Sequence, residues 1–471
     1  MLSILAPYKN LILQSSLSVI VPLIATLLRL PTRFLLGLHT YIHPENLASD
    51  NKPQSGVRAA IRRPEPSDPG LNGYQNLGSN GDSIRKRSRV RDKFEFDENN
   101  AQIFRLVIVD SHIESRVYFR EYRDAFVYTA MGLSSLVLCN CLLVGSESDG
   151  VLVNGSVVPL LLGFVAVFKV GFCVGKASFE RSASRRLEKQ TSVVLGVLGF
   201  VFAVAIVFLD APVVFDFDLD DIDGFGKFLL CVFAGCIAGF MFIPANKNAR
   251  AFWLGTDQLR WDLSIISCGL VARVILYVNF LVIIFTALLW INPVSDIFVM
   301  KRNSNPNVVN WGKGLFTFNE NLVGKIGFVQ SEFRKLRIWF LLASGILQFA
   351  AIRPNLQMYL NEAVLSWYQR LHSGKVPDLD FSRAKIFLHN HHLCLVVLQF
   401  FAPSALILSF VELSQIEGNL LKTFPIVCKF LPCSILVKEG ALFMAWWIVF
   451  VWSVFTSLSL ALYRLGFLYI S

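Results

Sequence analysis

The acidic stretch FDFDLDDIDGF, residues 215–225, carries the residue type that binds calcium. Its alternating carboxylates begin at Asp216, as they would in an EF-hand loop. An EF-hand loop also needs glycine at its sixth position and a bidentate glutamate at its twelfth, and here Asp221 and Lys227 occupy those positions. The stretch therefore fails as a calcium loop, and its default interpretation is a solvated acidic loop.

A second candidate for chemistry is the histidine cluster HNHH at 389–392. Helical spacing puts His389 and His392 on one face, which is half of a zinc site. No carboxylate at ligand spacing completes the set and Cys394 is alone in sequence, so we interpret the pair as interfacial histidines before an apolar run. The seven histidines of the chain are also too few for a membrane di-iron enzyme. We predict no catalytic centre, metal or cofactor.

Composition indicates a membrane protein. Hydrophobic residues make up 54% of the 471 and charged residues only 17%, and the mean hydropathy of +0.53 exceeds that of soluble domains. Long apolar runs with little alternation favour helices over a barrel. We predict an all-α fold, a polytopic helical bundle with interfacial amphipathic helices and nine spans, at 11–28, 126–144, 157–175, 191–209, 228–244, 267–291, 338–352, 393–411 and 441–463.

Basic residues orient these spans. The connection 45–123 carries fourteen Lys and Arg, whereas 145–156 carries none and 210–227 carries one. The positive-inside rule therefore puts the acidic stretch on the non-cytosolic side. Asn154, in the sequon NGS, falls in a connection predicted to face the same side and is the predicted glycosylation site. The bias weakens later, because 292–337 carries seven bases.

Three segments divide the chain. Residues 1–44 predict a retained membrane anchor and its juxtamembrane segment, because no small-residue cleavage site follows the first run. Residues 45–100 are rich in Pro, Gly, Ser and Asn and predict a disordered linker. Residues 101–471 form the polytopic membrane domain. The linker ends in six bases that either hold anionic lipid or form a solvated tether: Arg85, Lys86, Arg87, Arg89, Arg91 and Lys93.

Two segments outside the runs predict helices at the membrane surface. Residues 105–123 mix apolar and charged positions before the second span. Residues 354–371 are more regular, because Pro354 suits a first helical position and an apolar stripe recurs at helical spacing, with Asn361 and Glu362 away from it. We predict that this second helix packs on protein at the cytosolic face. Its stripe comprises Leu356, Leu360, Val364, Tyr368 and Leu371.

Ionised side chains are rare within the runs. Ion-coupled carriers usually place a carboxylate within a span, and the nine runs contain no Asp or Glu. Lys169 and Arg273 are the ionised side chains well inside, and both lie close enough to a predicted cytosolic end to snorkel, as Arg337 and Arg353 can at the ends of the seventh run. Lys169 has the alternative of contacting an anion or a lipid headgroup. Lys169 and Arg273 are therefore the candidate intramembrane functional groups.

RPNLQMYL at 353–360 follows an apolar span and precedes the proline-containing run LVVLQFFAPSALIL at 395–408. In this order the two segments resemble the transmembrane protein 161 family. YIHPENL at 41–47, FREYRDAFVY at 119–128 and Lys169 are similar to further family features. The chain departs from the pattern at Gln348, where we expect arginine, and in its tail beyond 412. The motif residues are Arg353, Pro354, Leu356, Gln357, Tyr359 and Leu360.

The resemblance implies a polytopic membrane protein without established catalysis, linked to stress tolerance and ion currents. We expect a non-enzymatic modulator of membrane ion handling or stress response, with membrane lipids and other membrane proteins as partners and no nucleic acid. It would reside in the plasma membrane or an endomembrane. The alternative is a channel or uncoupled anion-preferring transporter that uses Lys169.

Overall fold

The chain's apolar runs fold into long helices in the computed structural model. The structure describes residues 9–42, 58–61, 103–143, 157–180, 186–210, 215–217, 219, 222–256, 268–299, 328–372, 379–416 and 433–468. The predicted glycosylation site Asn154 and the six bases between 85 and 93 lie outside these residues.

Nine helices in the described ranges are long and apolar enough to cross a membrane. They confirm the predicted all-α polytopic bundle. The spanning helices are α1 (Lys9–Leu27), α4 (Phe119–Leu143), α5 (Val157–Ser178), α6 (Arg186–Val204, continued by a π-helical turn Ala205–Asp210), α7 (Gly224–Thr256), α8 (Leu270–Leu288), α10 (Gln330–His372), α12 (Leu393–Ser414) and α13 (Cys433–Arg464). Shorter helices are α2 (Leu30–Leu35), α3 (Asp110–Glu114), α9 (Asn292–Phe298) and α11 (Leu379–His391).

Helix α12 forms the centre of the bundle. It contacts α4, α5, α10 and α13, and nearly every residue from Leu393 to Ser414 is buried. Such burial suits its sequence, since its first nineteen residues carry no charge. The helices that carry polar side chains are therefore held around an apolar axis.

Helices α6 and α7 pack closely through small residues. A Cβ atom added at Gly199 would lie 2.5 Å from the Cβ of Ala238, and one added at Gly235 would lie 2.7 Å from the Cβ of Phe200. Only glycine permits this approach, as in small-residue interfaces of other membrane helices. The Ser192 hydroxyl adds a hydrogen bond of 2.5 Å to a backbone carbonyl of α7.

A small antiparallel sheet was not expected. Its order is β1 (His39–Ile42), β3 (Ile103–Val107), β2 (Arg58–Ile61). It joins one strand from each of the three predicted segments, and β2 lies in the predicted disordered linker, most of which is outside the described residues. The predicted interfacial helix 105–123 is wrong: the segment contains part of β3, then α3 and the start of α4. Ile103 and Leu106 are buried, and because side chains alternate along a strand they lie on opposite faces of β3.

Helix α10 continues through Pro354 without a break. The prediction that Pro354 begins a separate helix is therefore wrong, although a helix does extend through 354–371. Proline lacks an N–H, but neighbouring helices can satisfy the carbonyl that it frees. The span and the predicted surface helix thus form one rod of 43 residues.

The acidic stretch is only partly the solvated loop that we predicted. Phe215, Phe217 and Leu219 are buried, whereas Asp216 is exposed. The Phe217 ring stacks on Trp290 with centroids 4.5 Å apart. Alternating burial anchors this segment on the bundle, because apolar side chains between the acids point inward.

Candidate functional site: the buried polar junction

A carboxylate near the end of α10 holds two cationic side chains. Glu362, whose side chain is 5% exposed, accepts from Arg250 Nη1 at 3.1 Å through its Oε1 atom. Lys385 Nζ lies 3.7 Å from the same oxygen. These residues come from α10, α7 and α11, so the carboxylate joins three helices. The sequence placed Glu362 away from the apolar stripe of this helix. In the structure its side chain is nevertheless buried and paired, not solvated.

Two further helices complete this arrangement. The Arg250 Nε atom donates to the Tyr463 hydroxyl of α13 at 3.0 Å. Lys247 precedes Arg250 by three residues, just under one turn, and so leaves the same face of α7. Its Nζ atom donates to Gln399 Oε1 of α12 at 2.9 Å. We define the polar junction as the side chains of Lys247, Arg250, Glu362, Lys385 and His389.

His389 packs against the junction through its ring. The imidazole stacks on Tyr359 with centroids 4.5 Å apart, and its Nδ1 atom lies 2.8 Å from the Lys385 carbonyl oxygen. Burial lowers the pKa of His389 to about 4, against the opposing field of Glu362. His392 faces the carbonyl of residue 388 instead, so the two histidines do not converge on a shared ligand.

The family-like motif connects α10 to the sheet. Gln357 accepts from the His39 backbone N–H at 2.9 Å and donates to the His39 carbonyl at 3.2 Å. The Tyr41 hydroxyl donates to Asn361 Oδ1 at 2.9 Å, and burial raises the pKa of Tyr41 to about 12. Arg353 donates to a backbone carbonyl just before the sheet, at 2.8 Å. Strand β1 and the part of α10 around Gln357 and Asn361, far apart in sequence, thus meet in the fold.

The remaining motif residues pack within the bundle. Leu356 and Leu360 are buried and Pro354 is half-buried, and the predicted packed position of the helix agrees with this burial. Tyr359 is the ring under His389.

The two candidate intramembrane cations lie apart from the junction. Lys169 is half-buried on α5, with its Nζ atom 5.7 Å from the centroid of the Tyr128 ring. Arg273 is half-buried near the start of α8. Neither residue lines the two cavities described below.

Another cation, Arg337, is buried near the start of α10, at the opposite end of this helix from Glu362. Arg337, 4% exposed, donates to Asp216 Oδ2 at 2.6 Å and to the Leu289 carbonyl at 3.0 Å. Its guanidinium carbon lies 4.9 Å from the Trp290 ring centroid. The acidic stretch therefore neutralises a buried arginine, where the sequence had suggested a snorkelling one.

Sequence reasoning missed the ion pairs of Glu362 and of Arg337. Arg250 and Lys385 lie in connections between predicted spans, where a basic residue indicates only the orientation of the bundle, and Glu362 lies away from the predicted apolar stripe. A usable signal was the combination of Glu362 with Tyr359 and Asn361 beside an otherwise apolar stripe. Within the described ranges, no three His, Cys, Asp or Glu side chains form a group that could hold a metal ion. The junction's chemistry is that of a paired, hydrogen-bonded charge cluster.

Comparison with known proteins supports the resemblance. Residues 223–421 match a family model described as predicted transmembrane protein 161AB. The match contains every residue of the polar junction and the RPNLQMYL motif. No solved structure matches the chain.

Proposed function

We propose that this chain, a multi-pass membrane protein related to the transmembrane protein 161 family through residues 223–421, acts by contact with other membrane proteins. Its effect would be to modulate membrane ion handling or a stress response, without a catalytic centre. The regulatory part of the proposal follows from the family resemblance.

The observation that carries the proposal is an exposed apolar face on α11, a helix outside the candidate spans. Phe381, Phe387 and Leu388 are 60%, 57% and 45% exposed. The opposite face of α11, with Ser382 and Ile386, is buried against the bundle. Exposed apolar side chains on a helix outside the candidate spans are typical of a surface that contacts another protein or the membrane, and we assign this face to a protein.

The charged groups support contact over transport. Glu362 is paired with Arg250 and Lys385, and Arg337 is paired with Asp216. Lys169 of α5 has its Nζ atom over the ring of Tyr128. This arrangement favours a structural role for these charges and gives the anion-transport alternative no specific support.

The test is crosslinking of the full chain in native membranes. We compare the wild type with a Phe381→Ser, Phe387→Ser double variant and with Val109→Ser, a control at an exposed apolar residue elsewhere. We expect a membrane-protein crosslink that the double variant loses and the control keeps. An unchanged set of crosslinks in the double variant would contradict the proposal.

A further inference from the structure

Five polar or indole side chains come together inside the apolar bundle. They belong to α7, α8, α10 and α13, and each is at least nine-tenths buried. They line two adjoining cavities whose other walls are mostly apolar. The five are Asn248, Asn279, Gln348, Asn355 and Trp452.

Most of their hydrogen-bonding atoms have no partner among the described residues. Asn355 donates to Asn248 Oδ1 at 2.7 Å. The unpaired atoms are Asn279 Oδ1, Asn355 Oδ1, both Gln348 side-chain atoms Oε1 and Nε2, and Trp452 Nε1. A buried polar group left unpaired destabilises the folded protein. Such a concentration in one place indicates an occupant that supplies the missing bonds.

Size and bonding pattern identify the occupant. Each cavity has a volume of about 10 Å³, which is room for one water molecule. The unpaired set includes acceptors and N–H donors together, whereas a bare cation needs acceptors and an anion needs donors. Among the described residues, no charged side chain lines either cavity.

We propose that bound water fills these two cavities and bridges the side-chain amides of α7, α8 and α10 to the indole of Trp452 in α13. The water would join four helices by hydrogen bonds within the membrane-spanning part of the bundle. This inference does not depend on the proposed function.

The chain contains a matched control for this site. Trp446 and Trp447 lie on the same helix as Trp452 and are also buried. Their Nε1–H groups donate to the carbonyls of Ala287 at 3.1 Å and Ala234 at 2.9 Å. The indole N–H groups of Trp446 and Trp447 should therefore have no bound water, while that of Trp452 should donate to a water molecule.

The experiment is magnetisation transfer from water to indole N–H groups in the full chain, labelled with ¹⁵N-tryptophan and held in lipid nanodiscs. Trp452→Phe assigns the signal. We expect a water cross-peak at Trp452 and none at Trp446 or Trp447. In Asn279→Leu, which removes one acceptor, the Trp452 cross-peak should weaken while the other two signals stay in place.

Two outcomes would overturn the proposal. One is a Trp452 indole without a water cross-peak in a spectrum whose Trp446 and Trp447 signals are those of the folded chain. The other is a saturable shift of the Trp452 signal with sodium or potassium chloride but not with choline chloride, which would make the cavities a cation site.

Discussion

Glu362 is the residue on which the polar junction depends. Its carboxylate faces two cationic side chains from two other helices. Because charges are costly to bury alone, removing this partner should cost more than removing a surface carboxylate.

We predict that Glu362→Gln destabilises the protein. Leaving a buried charge unpaired costs about 3–5 kcal/mol, and since the Arg250 side chain is 33% exposed we expect a loss of about 2–3 kcal/mol. The melting temperature in detergent measures the effect. Glu332→Gln, an exposed position on the same helix, is the control and should change little. Equal melting temperatures for the two variants would argue against a structural junction.

His389 should make stability depend on pH. Its pKa is lowered to about 4, from the ordinary 6.5, by burial beside Tyr359, Glu362, Lys385 and Lys247. The unfolded chain therefore binds a proton more readily, so the contribution is complete above about pH 6.5 and is lost as the pH falls toward 4.

We expect His389→Gln to lose less stability than the wild type between about pH 7 and about pH 5, as measured by melting temperature. Glu362 and its pairs with Arg250 and Lys385 are present in both proteins, so the comparison isolates what the imidazole adds, including its effect on Glu362. Ala384→Gln, at an exposed position in the same helix that does not titrate, should keep the wild-type dependence. Parallel curves for the wild type and His389→Gln would refute the assignment.

Helix α10 combines a span with a packed extension, which we define as residues 354–371. Leu356 and Val364 are fully buried and Leu360 is 1% exposed. The extension packs in a cluster with Tyr41 and Ile386, so the sheet and α11 cover it.

We predict a large loss of stability for Leu360→Asp. Burying a leucine is worth roughly 1.5–3 kcal/mol, and a desolvated carboxylate adds to the loss. Ser331→Asp, at the exposed start of the same helix, should be tolerated. An unchanged melting temperature of detergent-solubilised Leu360→Asp would mean that the extension is not packed on protein.

The elements that sequence could predict are those with a strong local signal. Apolar runs such as 393–411 predict spans, because the thickness of the bilayer sets the length of a spanning helix. Strands β1 and β3 have no such signal, since they are short and pair across the whole linker. The break predicted at Pro354 failed because packing by neighbouring helices overrides the local preference.

Site residues were harder to predict than elements. The RPNLQMYL segment was recognised by resemblance, but its hydrogen bonds to His39 depend on a contact between distant segments. Likewise, nothing local distinguishes Arg250, which pairs with Glu362, from a base that merely orients a span.

At the scale of the whole molecule, the orientation of the bundle is a prediction that labelling can check. In a cysteine-free background, Asp223→Cys and Ala384→Cys introduce exposed thiols in the acidic stretch and on α11. We expect a membrane-impermeant reagent added from the cytosolic side to label the second and not the first. The reverse pattern would invert the topology.

The claim that this protein acts by contact and not by conduction is tested most directly by reconstitution. Purified full-length protein in liposomes should carry no anion flux above that of protein-free liposomes, because its described charges are paired or lie outside the two cavities. Lys169→Gln should then behave like the wild type. Anion flux in the wild type that Lys169→Gln abolishes, and that the control Lys176→Gln on the same helix keeps, would contradict the account.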